Sequence, residues 1–392
     1  MKKLKLVLIS VLSLLTLAAC EIESIEADLI SEQSTDLTSK KVEKSEEVYK
    51  SKLQNRVINS DALKGNFVGN TFTRKLQIYT PPGYKKNGPQ QYPVVYLLHG
   101  FPFSEKAFID IKIWDDWITP YLWTQEYPDF PEEGFRLWID KLIADGIIEP
   151  MIIVMPNAET EPYGFSFYTN SILNGNFEDF IVNDLVNYMD KNYNTIPDAS
   201  GRAVIGHSQG GYAAFKIGLL HPDVFSTIAS HSGLLFVDAL FTMGPVLEQE
   251  NPDGFTGPDP RKFFTSAGYA MSAAWSPNLN NPPYFVDLPF VFNNEGHIVL
   301  VPEVVNLWHQ NDVYSLLEEL YLDNFDFNSL KGIYLDVGLL DEIGTQQAHV
   351  PVINRLNEYT IDHTFETYQG GHHTHMFARL ATSLAFCSSS MK

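Results

Sequence analysis

Cysteine is almost absent from these 392 residues, which contain only Cys20 and Cys387. Two thiols allow at most one disulfide and no framework of several, so a hydrophobic core has to hold the fold. Basic residues are also scarce, 27 against 48 acidic, and the formal net charge is −21. Such an acidic surface repels nucleic-acid phosphates and anionic lipid headgroups, which favours solubility and argues against a nucleic-acid partner. Beyond the N-terminal stretch there is no apolar run of membrane-spanning length, and there are no internal repeats. What remains is globular composition, 44% hydrophobic and 19% charged, in a chain long enough for one large domain or two modest ones.

The N-terminus follows a different logic. Lys2, Lys3 and Lys5 precede an apolar stretch from Leu6 to Ala19, the pattern of an export signal that takes no part in the domain. It ends in Leu17-Ala18-Ala19-Cys20, which resembles the lipobox of bacterial lipoproteins. That resemblance implies a signal peptide over 1–19, lipid on Cys20, and an extracytoplasmic protein anchored to a membrane rather than spanning it. Losing three signal lysines takes the net charge from −21 to about −24. With Cys20 lipidated, Cys387 has no disulfide partner and reads as a small buried hydrophobe or a spare tail thiol. Residues 20–52, rich in Ser, Glu, Lys and Thr, read as a solvated tether, and 53–392 as the folded domain.

Within that domain, short apolar runs alternate with helical patterns. Residues 74–81 alternate like an antiparallel strand, whereas 92–100, 151–158, 201–208 and 331–338 are continuous apolar runs of the kind buried on both faces. Helix candidates lie at 135–146, 177–193, 210–222 and 348–360, and 363–368 is a further strand candidate. The alternation predicts an α/β architecture with a mostly parallel sheet and helices on both faces. Two stretches interrupt it. Residues 102–134 carry Trp114, Trp117 and Trp123, and residues 236–300 hold Pro- and Asn-rich segments; both read as insertions, the second as a cap.

The segment Gly206-His207-Ser208-Gln209-Gly210 fits G-x-S-x-G between a buried strand and a helix. A strand-to-helix turn this tight strains the serine backbone and needs glycines on either side, and it projects the hydroxyl above the sheet. A serine is a weak nucleophile without a base, and the base needs an acid to hold its tautomer. Asp341, beyond a buried strand end and Gly338, supplies the acid; His372, after Gly370 and Gly371, supplies the base. Glu342 is the rival acid if the loop register shifts by one, whereas Asp336 sits inside the strand. His373 and His375 are rival bases. The H-H-x-H cluster also has the look of a metal site, but it lacks further ligands at metal-site spacing, so no metal or cofactor is expected. The backbone amides of Gln209 and Phe101 are the candidate oxyanion donors. His99 and His207 read as structural.

These pieces resemble the esterase D and feruloyl esterase group of α/β-hydrolases, which is itself similar to the mycolyltransferase antigens and enterochelin esterases. The likeness rests on 79–84, 92–101, 167–171, 177–193 and 202–226, with Asp341 in G-x-x-D and Gly-Gly-His at 370–372, all in family order. It implies an α/β-hydrolase fold with Ser208 as nucleophile, Asp341 as acid, His372 as base, and the Phe101 and Gln209 amides as the oxyanion hole. The implied function is hydrolysis of carboxylic esters, feruloyl or carbohydrate-linked esters among them, with acyl transfer to a sugar or lipid alcohol as the alternative. A third class would be a lipoprotein that keeps the fold only to bind a ligand. The loop after Phe101 reads PFSEKAF where relatives have a glycine-rich turn, and both insertions are longer than usual, so substrate preference does not carry over.

Overall fold

Alternate residues of the buried strands feed two separate cores, and this places one sheet at the centre of the molecule. Val94, Tyr96 and Leu98 pack into one hydrophobic cluster with Ile152, Val154 and Val204. Their neighbours Val95 and Leu97 pack into the other, with Ile153, Met155, Ala203 and Ile205. A strand buried on both faces needs no polar alternation, hence the unbroken apolar runs. The computed structural model describes residues 50–114, 129–259 and 261–391. It divides the chain into two units, Met1–Glu47 and Val48–Lys392. The signal segment, Cys20, most of the tether and two tryptophans of the first insertion, Trp117 and Trp123, lie outside the described residues. No helix among the described residues is long and apolar enough to cross a membrane.

The sheet has eight strands: β1 Lys52–Asn59, β2 Thr73–Thr80, β3 Val94–Leu98, β4 Ile152–Pro156, β5 Arg202–His207, β6 Thr227–His231, β7 Gly332–Gly338 and β8 Thr364–Tyr368. Their spatial order is β1-β2-β4-β3-β5-β6-β7-β8. β1 and β2 pair antiparallel, β2 and β4 likewise, and the remaining pairs are parallel. The tether boundary expected at residue 52 falls just inside the fold, since Lys52 opens β1 and the Ser51 hydroxyl donates to Asp140 at 2.5 Å.

Helices cover both faces. They are α1 Phe135–Ala144; α2, made of Phe177–Asp179, a π-helical stretch Phe180–Leu185 and Val186–Asn192; and α3 Gln209–Leu220. Between β6 and β7 come α4 Gly244–Glu250, α5 Phe263–Trp275, a small hairpin of Phe290–Phe292 with Ile298–Leu300, α6 Pro302–His309 and α7 Val313–Leu322. This excursion runs past the end expected at residue 300, because α6 and α7 belong to the same stretch. The last helices are α8 Thr345–Glu358 and α9 Met376–Ser390.

Parallel pairing aligns the strand ends. Leu98 stands beside Gly206, His207 beside His231, and His231 beside Asp336. The loops that leave these ends open on one edge of the sheet, where parallel α/β sheets place their ligands. Asp336, weighed as an acid, instead anchors this edge. Its Oδ2 accepts from His231 at 2.8 Å, Arg379 at 2.9 Å and Tyr334 at 2.9 Å. The carboxylate is buried, yet His231 and Arg379 outweigh the burial and hold its pKa below the ordinary value.

Candidate active site

Ser208 separates β5 from α3 with φ 58° and ψ −121°. A non-glycine residue there costs on the order of 1–3 kcal/mol and persists only when its surroundings impose it. Here backbone imposes it: the Ser208 amide donates to the His231 carbonyl at 2.8 Å, and the Ser208 carbonyl accepts from Tyr212 at 2.9 Å. A Cβ on Gly206 would stand 2.0 Å from the Gly210 carbonyl oxygen, and one on Gly210 would stand 2.2 Å from that of Leu98. Neither oxygen belongs to a flexible side chain, so both positions exclude every larger residue.

Asp341 and His372 arrive from the loops after β7 and β8. His372 Nδ1 donates to Asp341 Oδ2 at 2.7 Å, and both groups are buried. Asp341 Oδ1 accepts from the Ile343 amide at 3.0 Å, and Oδ2 accepts a second bond from the Thr345 hydroxyl. Burial alone would raise the Asp341 pKa, but the imidazole and these donors hold it down at about 2. For His372, burial favours the neutral ring and Asp341 the charged one; the carboxylate prevails, so the pKa is raised. With Nδ1 committed as donor, Nε2 of the neutral ring is an acceptor. That Nε2 is buried, has no hydrogen-bond partner among the described residues, and lines the same cavity as Ser208.

The rivals occupy other places. Glu342 Oε2 accepts from the backbone amide of His372 at 3.0 Å, while His207 Nε2 donates to the His372 carbonyl at 2.9 Å. Both sides of the His372 main chain are therefore held, an arrangement that no spacing in the sequence announced. His375 is exposed and adjoins the start of α9. His373 is buried in the cavity wall, its ring edge-on to Trp114 with centroids 4.8 Å apart. Burial keeps His373 neutral well below the ordinary imidazole range, and lowers His207 to about 3. His207, His372 and His373 each offer a nitrogen within 4.8 Å of the others, the one such cluster among the described residues. A cation there would take the Nε2 that otherwise accepts a proton, so His372 can serve one role or the other.

The oxyanion candidates flank the serine. Gln209 opens α3, so its backbone N–H is a first-turn donor with no intrahelical acceptor. Its side chain is pinned, with Oε1 accepting from the Phe167 amide at 3.0 Å. Phe101 lines the cavity with Ser208, its ring 4.1 Å from that of Phe165 by centroid. The loop carrying it is close, since a Cβ on Gly100 would lie 3.0 Å from Ser208 Cβ. His99 braces this loop: Nδ1 donates to the Gly100 carbonyl at 2.9 Å and Nε2 accepts from the Ala158 amide at 3.0 Å. One donor and one acceptor suit a neutral ring, and burial depresses its pKa to about 4.

The Esterase family model matches residues 71–384. An endo-1,4-beta-xylanase/feruloyl esterase of Xylanibacter ruminicola is 32% identical over 176 residues, which cover 42% of this chain and 21% of that protein. A diacylglycerol acyltransferase/mycolyltransferase, Ag85A of Mycobacterium leprae, is 27% identical over 167 residues, 41% of this chain and 42% of that protein. The chain thus spans well under half the length of these curated relatives. Among solved structures, a ferulic acid esterase matches with a TM-score of 0.56 and 18% identity, over 87% of this chain and 99% of that one.

Proposed function

The chain belongs to the Esterase family and has the α/β-hydrolase fold, and on that premise we propose that it is a serine carboxylesterase working through Ser208, His372 and Asp341. His372 Nε2 takes the Ser208 proton as the hydroxyl oxygen attacks the ester carbonyl. Asp341 holds the ring by Nδ1 and stabilises the imidazolium that forms. The amides of Gln209 and Phe101 receive the oxyanion. Collapse of the tetrahedral intermediate expels the alcohol, which takes the proton from His372 and leaves an acyl-enzyme. Water, deprotonated by the same Nε2, then releases the acid and regenerates the serine. The observation that carries this reading is the buried 2.7 Å Asp341–His372 bond, with the opposite ring nitrogen unpartnered among the described residues, in the cavity that Ser208 lines.

A second reading, transfer of the acyl group to a sugar or lipid alcohol, draws on the likeness to the mycobacterial acyltransferase. It differs only in which hydroxyl clears the acyl-enzyme. The Lys-rich start, the apolar run and Cys20 support a lipid-anchored, extracytoplasmic location. The deciding assay is hydrolysis of 4-nitrophenyl esters by the purified chain beside its Ser208→Ala variant. Release of 4-nitrophenol that vanishes with the hydroxyl supports the reading, and undiminished release by the variant refutes it. For the anchor, a Cys20→Ser chain is expected in the soluble fraction and the parent chain with membranes.

A further inference from the structure

The cavity in front of Ser208 is built of two chemically different halves. At the serine end stand all of its polar side chains: Ser208, Gln209, Thr345, His372 and His373. Apart from two indoles, the rest is carbon and thioether, and much of it comes from the excursion between β6 and β7. Helix α5 turns one stripe to the cavity, Phe263, Phe264, Ala267, Gly268 and Met271, which share a helical face. Leu247, Phe290 and Trp308 join it.

The two indoles in this wall offer no polar handle. Trp114 Nε1 donates to the Ala107 carbonyl at 2.9 Å and Trp308 Nε1 to the Ser276 hydroxyl at 3.0 Å. Among the described residues, the unpartnered side-chain polar atoms of the lining, His372 Nε2, His373 Nδ1 and Gln209 Nε2, belong to the triad loop and the elbow. The side chains of the cap half, among the described residues, therefore offer a group reaching away from Ser208 no donor or acceptor beyond these two committed indoles. Methylenes gain by entering such a space, whereas a hydroxyl loses its water there without replacement.

We propose that the cap half of this cavity is an acyl-chain pocket, and that the preferred substrates are esters of unsubstituted aliphatic acids of medium length rather than of acetic or hydroxylated cinnamic acids. This rests on the esterase reading, since it takes Ser208 as the point where the carbonyl sits. Each methylene buried is worth about fourfold. Seating three of the six extra methylenes of octanoate over acetate then gives roughly a sixtyfold preference. An aromatic acid that presents a phenol to this wall loses about tenfold or more against its unsubstituted counterpart.

The test is kcat/KM of the full chain on 4-nitrophenyl acetate and octanoate, and on methyl cinnamate and methyl ferulate. Octanoate is expected to lead acetate by about sixtyfold, and cinnamate to lead ferulate by about tenfold. In Ala267→Trp, which fills the α5 stripe, the octanoate-to-acetate ratio is expected to fall toward one, with circular dichroism checking the fold. Acetate equal to octanoate, or ferulate equal to cinnamate, overturns the proposal even if every ester is cleaved through Ser208. Should no ester be turned over, binding of methyl octanoate and methyl ferulate to the full chain by calorimetry separates the two ideas. Tighter binding of the octanoate ester sustains the pocket while the esterase reading falls, and tighter binding of the ferulate ester sinks the pocket as well.

Discussion

Replacing Asp341 with asparagine tests the centre of the site with the least change in shape. The carboxylate accepts from His372 Nδ1, the Ile343 amide and the Thr345 hydroxyl, and its pKa is held at about 2 against an ordinary 3.8. That difference corresponds to about 2 kcal/mol of preference for the charged form, which Asp341→Asn forfeits. An amide also presents an N–H where the ring needs an acceptor. The imidazole can answer by moving its proton to Nε2, but then the nitrogen facing Ser208 cannot take a proton. A loss in kcat of about 10⁴ is expected for this wrong-tautomer effect, with 4-nitrophenyl octanoate as substrate. The pH dependence has a definite sign. Asp341 raises the His372 pKa, so the stability it adds through His372 is full below the unfolded imidazole pKa and lost as pH rises through the folded one. The stability held by the depressed Asp341 pKa is present above 3.8 and lost as pH falls toward 2. Catalysis needs the neutral ring, so the acid limb of kcat/KM is expected above the ordinary imidazole value. In Asp341→Asn the residual activity should have its acid limb at lower pH, since burial then acts on the ring without the carboxylate. Glu342→Gln keeps an oxygen for the His372 amide and is expected to stay within about tenfold of the parent, the cost of a weakened hydrogen bond. The reasoning is refuted if Asp341→Asn keeps activity within tenfold while Glu342→Gln loses thousands-fold.

Two further substitutions probe the scaffold. Gly210→Ala would place a methyl 2.2 Å from the Leu98 carbonyl oxygen and 2.8 Å from that of His99; a loss of about 3 kcal/mol in urea unfolding is expected from overpacking, and a loss under 1 kcal/mol would show that β3 yields easily. Asp336→Ala would strand buried His231 and partly buried Arg379 without their carboxylate, costing about 3–5 kcal/mol. At temperatures where the variant stays folded, Ser208 should still be labelled by a fluorophosphonate; failure to label would give Asp336 a part in the site itself.

How much could be read from residue order alone follows from where each feature's information lies. β3, β4, β5 and β7 were legible because a strand buried on both faces is apolar along most of its length. β1 was not, for Lys52–Asn59 is an edge strand with mostly polar, exposed side chains. β6 was missed for the opposite reason: Thr227–His231 is wholly buried, but its Thr, Ala, Ser and His look unremarkable until two neighbouring strands enclose them. The reading of α2 missed its π-helical stretch, since the apolar stripe through Phe177, Phe180 and Ile181 is the same for either winding.

The site divides along the same line. Ser208 and its glycines are a local motif, so the turn they form could be reasoned from five residues. Asp341 and Glu342, adjacent and both just past a strand end, stayed rivals in the sequence, since a shift of one residue in the loop register exchanges them. The second carboxylate turned out to have work of its own, holding the His372 amide while His207 holds the carbonyl. These contacts close over 30 and 165 residues of chain, and no periodicity encodes such distances. The cap is the extreme case. Helix α5 is buried on nearly all sides, so its cavity stripe reads equally well as core. Only the placement of α5, Trp308 and Phe290 opposite Ser208 turns that stripe into a cavity wall. The chemistry proposed at the serine thus rests on short motifs, whereas the proposed choice of acyl group rests on long-range packing in the cap.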